Sequence, residues 1–539
     1  MTENPLQSTL VLAVKIHVRN ADGTDREASI ALAASLIKMK ALIKATLLSV
    51  ILVAPALGQN LTLDSYEKAR QLVDKSLNAY GGLEELRSLA NFTVRLEGTD
   101  FHRNQSPRPG VPFATARIFE MTMDLKKGRY RLYFERSGVG SYVVRSIEVS
   151  DTNERTYADL RLKTKTVGPA RPNWRETLPA QLLPQMVLVN GYGRIGQARF
   201  IGRQTYEGRP HDIVAFPASG SNVVSLYFDT ETGLISKQEE LVSDSYSGDA
   251  LVETVFNGYQ TTGRFKVPTE VVNSTAGVIT SRVRYSRVSF DRDIAEGEFL
   301  LDSDIMAVSP QQPAQREESP VKKIADNVYT ASVPGYKVLF VDFTDHIWVL
   351  EAPLGDAAAR NIIRQIKETI PNKSIKYVAV THHHDDHASG ARAFVAEGAT
   401  LLTTRGNRSH FEELMKSRFT ILPDALSKTP RPLKMEFIEG RKKVLTDGRT
   451  TVELYDIGPN PHADELLVAY LPKERIIFQA DLGDKPAGDL WIANPAIEHF
   501  ANWMKAKGLA VDQIISAHGT FMTVADYQKA VENAQKTAQ

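Results

Sequence analysis

One stretch constrains this chain more than any other: Ile375-Lys376-Tyr377-Val378-Ala379-Val380, followed at once by Thr381-His382-His383-His384-Asp385-Asp386-His387. The first six residues form a continuous β-rich run, the pattern of a buried strand. The next seven hold four of the chain's 12 histidines and two aspartates. A strand end that feeds a loop is where α/β folds present ligand groups. Imidazole and carboxylate donors suit zinc, iron or manganese, and a chain with 0 cysteines has no thiolate cluster to offer. His382 and His384, two apart on an extended segment, can converge on one ion from the same side. Asp386 and His387 then turn toward a second.

The same device recurs downstream. Val452–Asp456 reads as a strand, and Ile457-Gly458-Pro459-Asn460-Pro461 leads from it to His462. Arg475–Ala480 reads as a strand ending at Asp481, and Gln513–Ala517 as one ending at His518-Gly519. Any one of these alone reads equally as a core-edge histidine or a turn aspartate. Four strand ends, each delivering metal-competent side chains, point together to a metal centre.

These motifs resemble the metallo-β-lactamase superfamily: Thr-His-x-His-x-Asp-His at 381–387, a lone histidine after Gly-Pro at 462, an aspartate closing a strand at 481, and Ala-His-Gly at 517–519. The resemblance covers residues 321–539 and implies an αββα sandwich with its site along one edge. Carried over position by position, it implies that His382, His384 and His462 hold a first divalent ion and Asp386, His387 and His518 a second. Asp481 would bridge them, and His383 and Asp385 would lie outside. Zinc is the expected metal, with iron and manganese as alternatives. Two ions about 3.5–4 Å apart share a water and lower its pKa toward about 7, which makes hydroxide available at neutral pH. Asp386 is the expected catalytic residue, a ligand that also takes a proton from the nucleophile. True β-lactamases of this superfamily usually carry Cys or Ser where Asp481 stands. A bridging aspartate matches the glyoxalase II, lactonase and phosphodiesterase branches instead. The expectation is therefore a metal-dependent hydrolase of an ester, thioester or lactone and not of penicillins. The alternatives are a phosphodiesterase, an oxygen-using iron enzyme, or a carrier protein with an accessory hydrolase domain. Glu351, where the family usually has Asp, is expected to touch no ligand. Tyr455, Tyr470, His410, Trp491, Phe500 and Trp503 are candidates to line a cleft, with packing as the other reading. The segment 406–426 reads as a lid.

The rest of the chain is differently built. At 539 residues it exceeds one ordinary core, so a multidomain chain is expected. Tyr66, Ala69, Leu72, Val73 and Leu77 fall at helical spacing, and Tyr80-Gly81-Gly82 punctuates the helix. From Asn91 to Leu301 alternating strands follow, among them Phe92–Leu96, Tyr130–Phe134, Val252–Phe256 and the hairpin Val224–Lys237 turning at Asp229-Thr230-Glu231-Thr232-Gly233. One helix followed by many strands predicts an α+β domain, a curved antiparallel sheet wrapped on a helix. With the Tyr-Phe-Asp-x-x-x-Gly turn at 227–233 and Gly-x-Phe-x-Val-Pro at 263–268, residues 59–302 resemble the periplasmic lipoprotein-carrier type of domain. That resemblance implies a half-barrel around a greasy cavity; an ordinary filled β-domain is the other reading. Ser309-Pro310-Gln311-Gln312-Pro313 lies in an expected linker, 303–320.

Residues 1–58 read as a non-mature prefix. From Met39, a basic start (Lys40, Lys44), the apolar run Ala45–Val53 and small Ala56 and Gly58 have the layout of a secretory signal peptide. The apolar run is far short of the roughly 20 residues of a membrane span. A true start at Met39, a mature protein from Gln59 without an integral membrane segment, and a periplasmic or secreted location are the expectations. With 65 basic against 64 acidic residues there is no basic excess for nucleic acid. The expected partner is a small, amphipathic substrate; oligomeric state is open.

Overall fold

In the strand Ile347–Leu350 all four side chains are buried, because the strand is covered on both faces. Its alternation sends Ile347 and Val349 into one core and Trp348 and Leu350 into another. That division defines the C-terminal half. The computed structural model describes residues 17–19, 25–27, 60–139, 143–219, 222–307, 321–484 and 495–537. The signal-peptide reading at 39–58, the linker beyond Ala307 and Trp491 lie outside the described residues.

Two compact units divide the chain, residues 1–64 and 65–539. In the first, His17–Arg19 pairs antiparallel with Asp25–Glu27. Among the described residues no helix is long and apolar enough to cross a membrane.

The second unit opens within the helix Leu61–Tyr80, whose buried stripe includes Ala69, Leu72, Val73 and Leu77. It packs on a sheet of 14 strands. Asn91–His102 pairs with both Phe113–Asp124 and Val278–Phe290, and from this centre the arms run outward through antiparallel neighbours to Thr164–Pro169 on one side and Arg199–Tyr206 on the other. One core joins residues of both arms (Phe92, Met121, Tyr130, Phe228, Val267) to the helices Leu61–Tyr80, Trp174–Leu182 and Pro184–Gly191. Met306 and Ala307, in the expected linker, pair in parallel with Thr164 and Lys165.

Beyond the linker, sheets of 7 and 6 strands stack face to face. Leu339, Trp348 and Leu402 of the first meet Leu454, Ala469 and Phe478 of the second. The outer face of the first sheet is covered by Asp356–Thr369, Ala391–Glu397 and Arg408–Lys416 through Ile362, Ile366, Phe394 and Leu414. The outer face of the second is covered by Pro495–Lys507 and Val524–Thr537 through Ile497, Phe500 and Tyr527. The layers are helix, sheet, sheet, helix.

Two loops of the fourteen-stranded sheet reach this sandwich. In one, Tyr246 enters the core of the first sheet's helices and donates its hydroxyl to the His410 carbonyl at 3.2 Å. Gly248 beside it has φ +74°, and a Cβ there would lie 2.0 Å from the Arg418 carbonyl oxygen, so only glycine fits. Asp249 accepts from the backbone N–H groups of Thr420 and Ile421 at 2.8 and 2.9 Å. The other loop, residues 103–108, runs to the edge where the histidines gather.

The segment 406–426 differs from a lid. Phe411 and Leu414 are buried in the helical layer, and Asp424 pairs with buried Arg392. Apolar spacing within an otherwise polar stretch decides this, since Phe411 and Leu414 share one helix face.

Candidate metal centre

The strand Ile375–Ala379 ends before Val380, and the chain bends through Thr381–His383 to His384, the residue before the short helix Asp385–Ala388. His462 follows Thr451–Asp456, with its N–H and that of Ala463 held by the Asn460 side chain at 2.9 and 3.1 Å. Asp481 follows Ile476–Gln479 at φ +62°, a left-handed conformation that Asp tolerates better than most residues. His518 follows Gln513–Ser516.

These strand ends bring all seven expected residues together. His382, His384, His462 and Asp481 form one group, and Asp386, His387, His518 and Asp481 another; within each, donor atoms lie within 4.8 Å of one another. Asp481 is common to both. Its Oδ2 is 3.3 Å from His382 Nε2, 3.0 Å from His387 Nε2 and 3.1 Å from His462 Nε2, while Oδ1 is 3.1 Å from His518 Nε2. His462 Nε2 is also 3.1 Å from both His382 Nε2 and His384 Nδ1. Four donors on a tetrahedral ion with bonds of about 2.0–2.1 Å stand roughly 3.3 Å apart, so these spacings fit a divalent cation in each group. His383 and Asp385 fall outside both groups: His383 lies against His410, ring centres 5.6 Å apart, and Asp385 accepts from the Asn104 amide at 3.3 Å.

The imidazoles are oriented from behind. His382 Nδ1 meets Thr381 Oγ1 at 3.0 Å, His384 Nε2 the Ser106 carbonyl at 2.9 Å, His387 Nδ1 the Glu351 carboxylate at 2.7 Å, and His518 Nδ1 the Gly335 carbonyl at 3.1 Å. Each such contact turns one ring nitrogen outward and leaves the other facing the centre, the usual outer support of a metal-binding histidine. Asp386 is held on both oxygens, by the Gln105 amide at 2.7 Å on Oδ1 and the Tyr336 hydroxyl at 2.9 Å on Oδ2.

The electrostatics of the metal-free centre follow from burial and crowding. Burial, with the nearby imidazoles, pushes His382 down to about 3 and His384 well below the ordinary histidine range. Burial also opposes charge on His387 and His518. The carboxylates win there: Asp481, Glu351 and Asp386 hold His387 well above its ordinary value, and Asp481 raises His518 to about 9. Asp481 itself, despite burial, is held well below the carboxylate range by His387 and His462. Any cation entering the second group must displace protons from His387 and His518.

Two further buried histidines make the protein acid-sensitive. Burial lowers His383 to about 4 and His410 to about 3, from 6.5. The unfolded chain therefore takes up protons first, and the stability these two contribute is complete above pH 6.5 and drains away as pH falls through that value toward 3. His410→Phe, which keeps a ring against Tyr246, is expected to flatten the acid limb of melting temperature against pH. An unchanged limb would contradict it.

Sequence reading missed four contributors. Glu351 does touch a candidate ligand: it is 1% exposed, sits at φ +96° and bonds both His387 and the Thr381 N–H. Its extra methylene over Asp lets it span the two. Tyr336, Gln105 and Ser106 carry no local signal. Conversely, Tyr455, Tyr470 and Phe500 belong to the core under the outer helices, with Trp503 stacked on Phe500 at 5.9 Å, and not to a cleft. Tyr455 and Tyr470 sit on the face of the second sheet that helices cover, and Phe500 and Trp503 on one of the covering helices. His410 packs on Tyr246, ring centres 4.7 Å apart.

Residues 355–513 match the model of the metallo-beta-lactamase superfamily, a span that includes every site residue from His382 to Asp481. This segment is thus similar to the metallo-beta-lactamase superfamily, and it carries a His/Asp cluster suited to divalent metal. No curated protein matches the sequence. Similar solved structures include a metallo-beta-lactamase from Pontibacter korlensis (17% identity, 40% of this chain and 98% of that one, TM-score 0.31). The metallo-beta-lactamase FIM-1 from Pseudomonas aeruginosa in its mono-zinc form is another (22%, 41% and 98%, TM-score 0.31). A third is the stereoselective inverting sec-alkylsulfatase Pisa1 from Pseudomonas sp. (14%, 40% and 41%, TM-score 0.30).

Proposed function

We propose that the protein is a dinuclear metal-dependent hydrolase that cleaves an ester, thioester or lactone in a small amphipathic molecule. The reading is carried by Asp481, one carboxylate common to both donor groups. His382, His384 and His462 would hold one ion, and Asp386, His387 and His518 the other. The donor set, imidazole and carboxylate without thiolate, suits zinc foremost, then iron or manganese. When bound, such a pair supplies Lewis-acid polarisation and an activated water. Asp386 then has two tasks. One oxygen would help hold an ion, and the other would take up the proton from the attacking water and return it to the leaving group. Tyr336 and Gln105 hold that carboxylate in register. Asp481, in place of the Cys or Ser of true β-lactamases, supports a substrate other than penicillins.

The N-terminal sheet supports an amphipathic substrate. Sheets wider than about 10 strands curl, which agrees with a half-barrel-like wrap of residues 59–302 around their helices. A cavity of about 410 Å³ lies in that wrap, lined by Leu96, Phe119 and Val283 with Gln238, Glu240 and Asn273. Residues 321–539 would be the hydrolase and 59–302 the part that receives the substrate, in a periplasmic or secreted protein. The test is metal analysis with a panel of thioesters, lactones and aryl esters. Two equivalents of metal, and turnover that falls about 10²–10⁴-fold in Asp386→Ala, are expected. Phosphodiester or penicillin turnover in place of these would overturn the substrate class.

A further inference from the structure

The loop between Asn91–His102 and Phe113–Asp124 crosses from the fourteen-stranded sheet to the metal centre, 281 residues away in sequence at Gln105 and Asp386. Four of its groups engage the histidine loop: the Asn104 carbonyl accepts from the Asp385 N–H at 3.3 Å, the Asn104 amide meets Asp385, the Gln105 amide donates to Asp386 Oδ1 at 2.7 Å, and the Ser106 carbonyl meets His384 Nε2 at 2.9 Å. Further along, the Pro107 carbonyl accepts from the Asp464 N–H at 2.9 Å, and Arg108 pairs with the Asp464 carboxylate. Asn104 and Ser106 are buried. The contacts fall on one residue of each donor group, His384 and Asp386.

Their chemistry is that of orientation. A carbonyl against His384 Nε2 fixes the proton there and leaves Nδ1, the atom 3.1 Å from His462 Nε2, free to ligate. An amide donor on Asp386 Oδ1 sets the rotation of the carboxylate and so the position of Oδ2. We propose that the metal centre is shared between the two halves of the chain, with Gln105 the positioning residue for Asp386 and the Ser106 carbonyl that for His384. The hydrolase half alone would keep every ligand but lose the loop partners that orient Asp386 and His384. This rests on the dinuclear reading above.

Gln105→Met in the full-length protein keeps the length of the side chain and removes its donor. Removing an outer partner of a ligand typically weakens metal binding about 10–100-fold. The expectation is a loss of that size in affinity for the second cobalt(II) ion, seen by calorimetric titration, with altered visible absorption of the two-cobalt form and a lower kcat at unchanged KM. Arg108→Ala, which cuts only the exposed Asp464 contact, should leave cobalt binding as in the wild type. Wild-type second-ion affinity and spectrum in Gln105→Met overturn the inference, as does an equal loss in Arg108→Ala, which would mean the loop acts only by docking. A wild-type protein that binds fewer than two cobalt ions overturns the dinuclear reading and, with it, this one.

Discussion

On the dinuclear reading, Asp481→Asn is expected to yield a folded protein that has lost the proposed hydrolase activity by at least about 10³-fold, with metal content falling from two ions to one or fewer. Asn preserves the volume of the side chain, and its tolerance of left-handed backbone matches the φ of +62° at this position. What it removes is charge. Four imidazoles stand within 3.0–3.3 Å of the two carboxylate oxygens, so one substitution weakens both donor groups at once. Element analysis and the hydrolytic assay read the result together. Two retained ions with a rate within tenfold of wild type would exclude Asp481 as the shared ligand.

The same substitution has a signature in chelator, where no metal contributes. His518 is raised from 6.5 to about 9, chiefly against its own burial, by the bond and charge of Asp481. A raised folded value means that the stability this contact contributes is complete below pH 6.5 and is lost as pH climbs through about 9. Metal-free wild type should therefore lose stability between those limits, and Asp481→Asn should start lower and vary less. This limb has the opposite sign to the acid limb set by His383 and His410.

How much of this could be read beforehand depends on the range of the interaction. A strand that ends in a ligand is a local pattern, and all four such ends were readable because each pairs a β-rich run with a polar residue of metal-binding type. The alternation in Phe92–Leu96 or Tyr130–Phe134 was readable for the same reason. What periodicity does not carry is which of two covered faces a side chain enters. Tyr455 and Tyr470 looked like cleft aromatics and prove to be packing under helices, because the two strands that carry them place apolar residues on both faces. Contacts between distant segments were invisible altogether. Nothing near Gln105 announces a partner at Asp386, and nothing around Glu351, beyond its departure from Asp, announces two bonds that its backbone must turn to φ +96° to make.

Glu351 is consequently a position where a single change should cost a large share of the stability. Its carboxylate is buried and occupied twice, by His387 Nδ1 at 2.7 Å and by the Thr381 N–H at 3.1 Å. Glu351→Ala leaves both buried donors without their acceptor, and losing one member of a buried charged pair costs about 3–5 kcal/mol. Glu351→Gln keeps one acceptor oxygen. It can serve His387 or Thr381 but not both, so a smaller loss, about 1–3 kcal/mol, is expected. Both changes release the His387 ring, and the affinity of the second donor group for zinc should fall about 10–100-fold in each. Urea denaturation of the chelated proteins measures the first effect and competitive zinc titration the second. The order wild type, Gln, Ala in both measurements is the expected result. An alanine variant within about 1 kcal/mol of wild type would mean that water or a neighbouring group replaces the carboxylate, and that Glu351 does not orient His387.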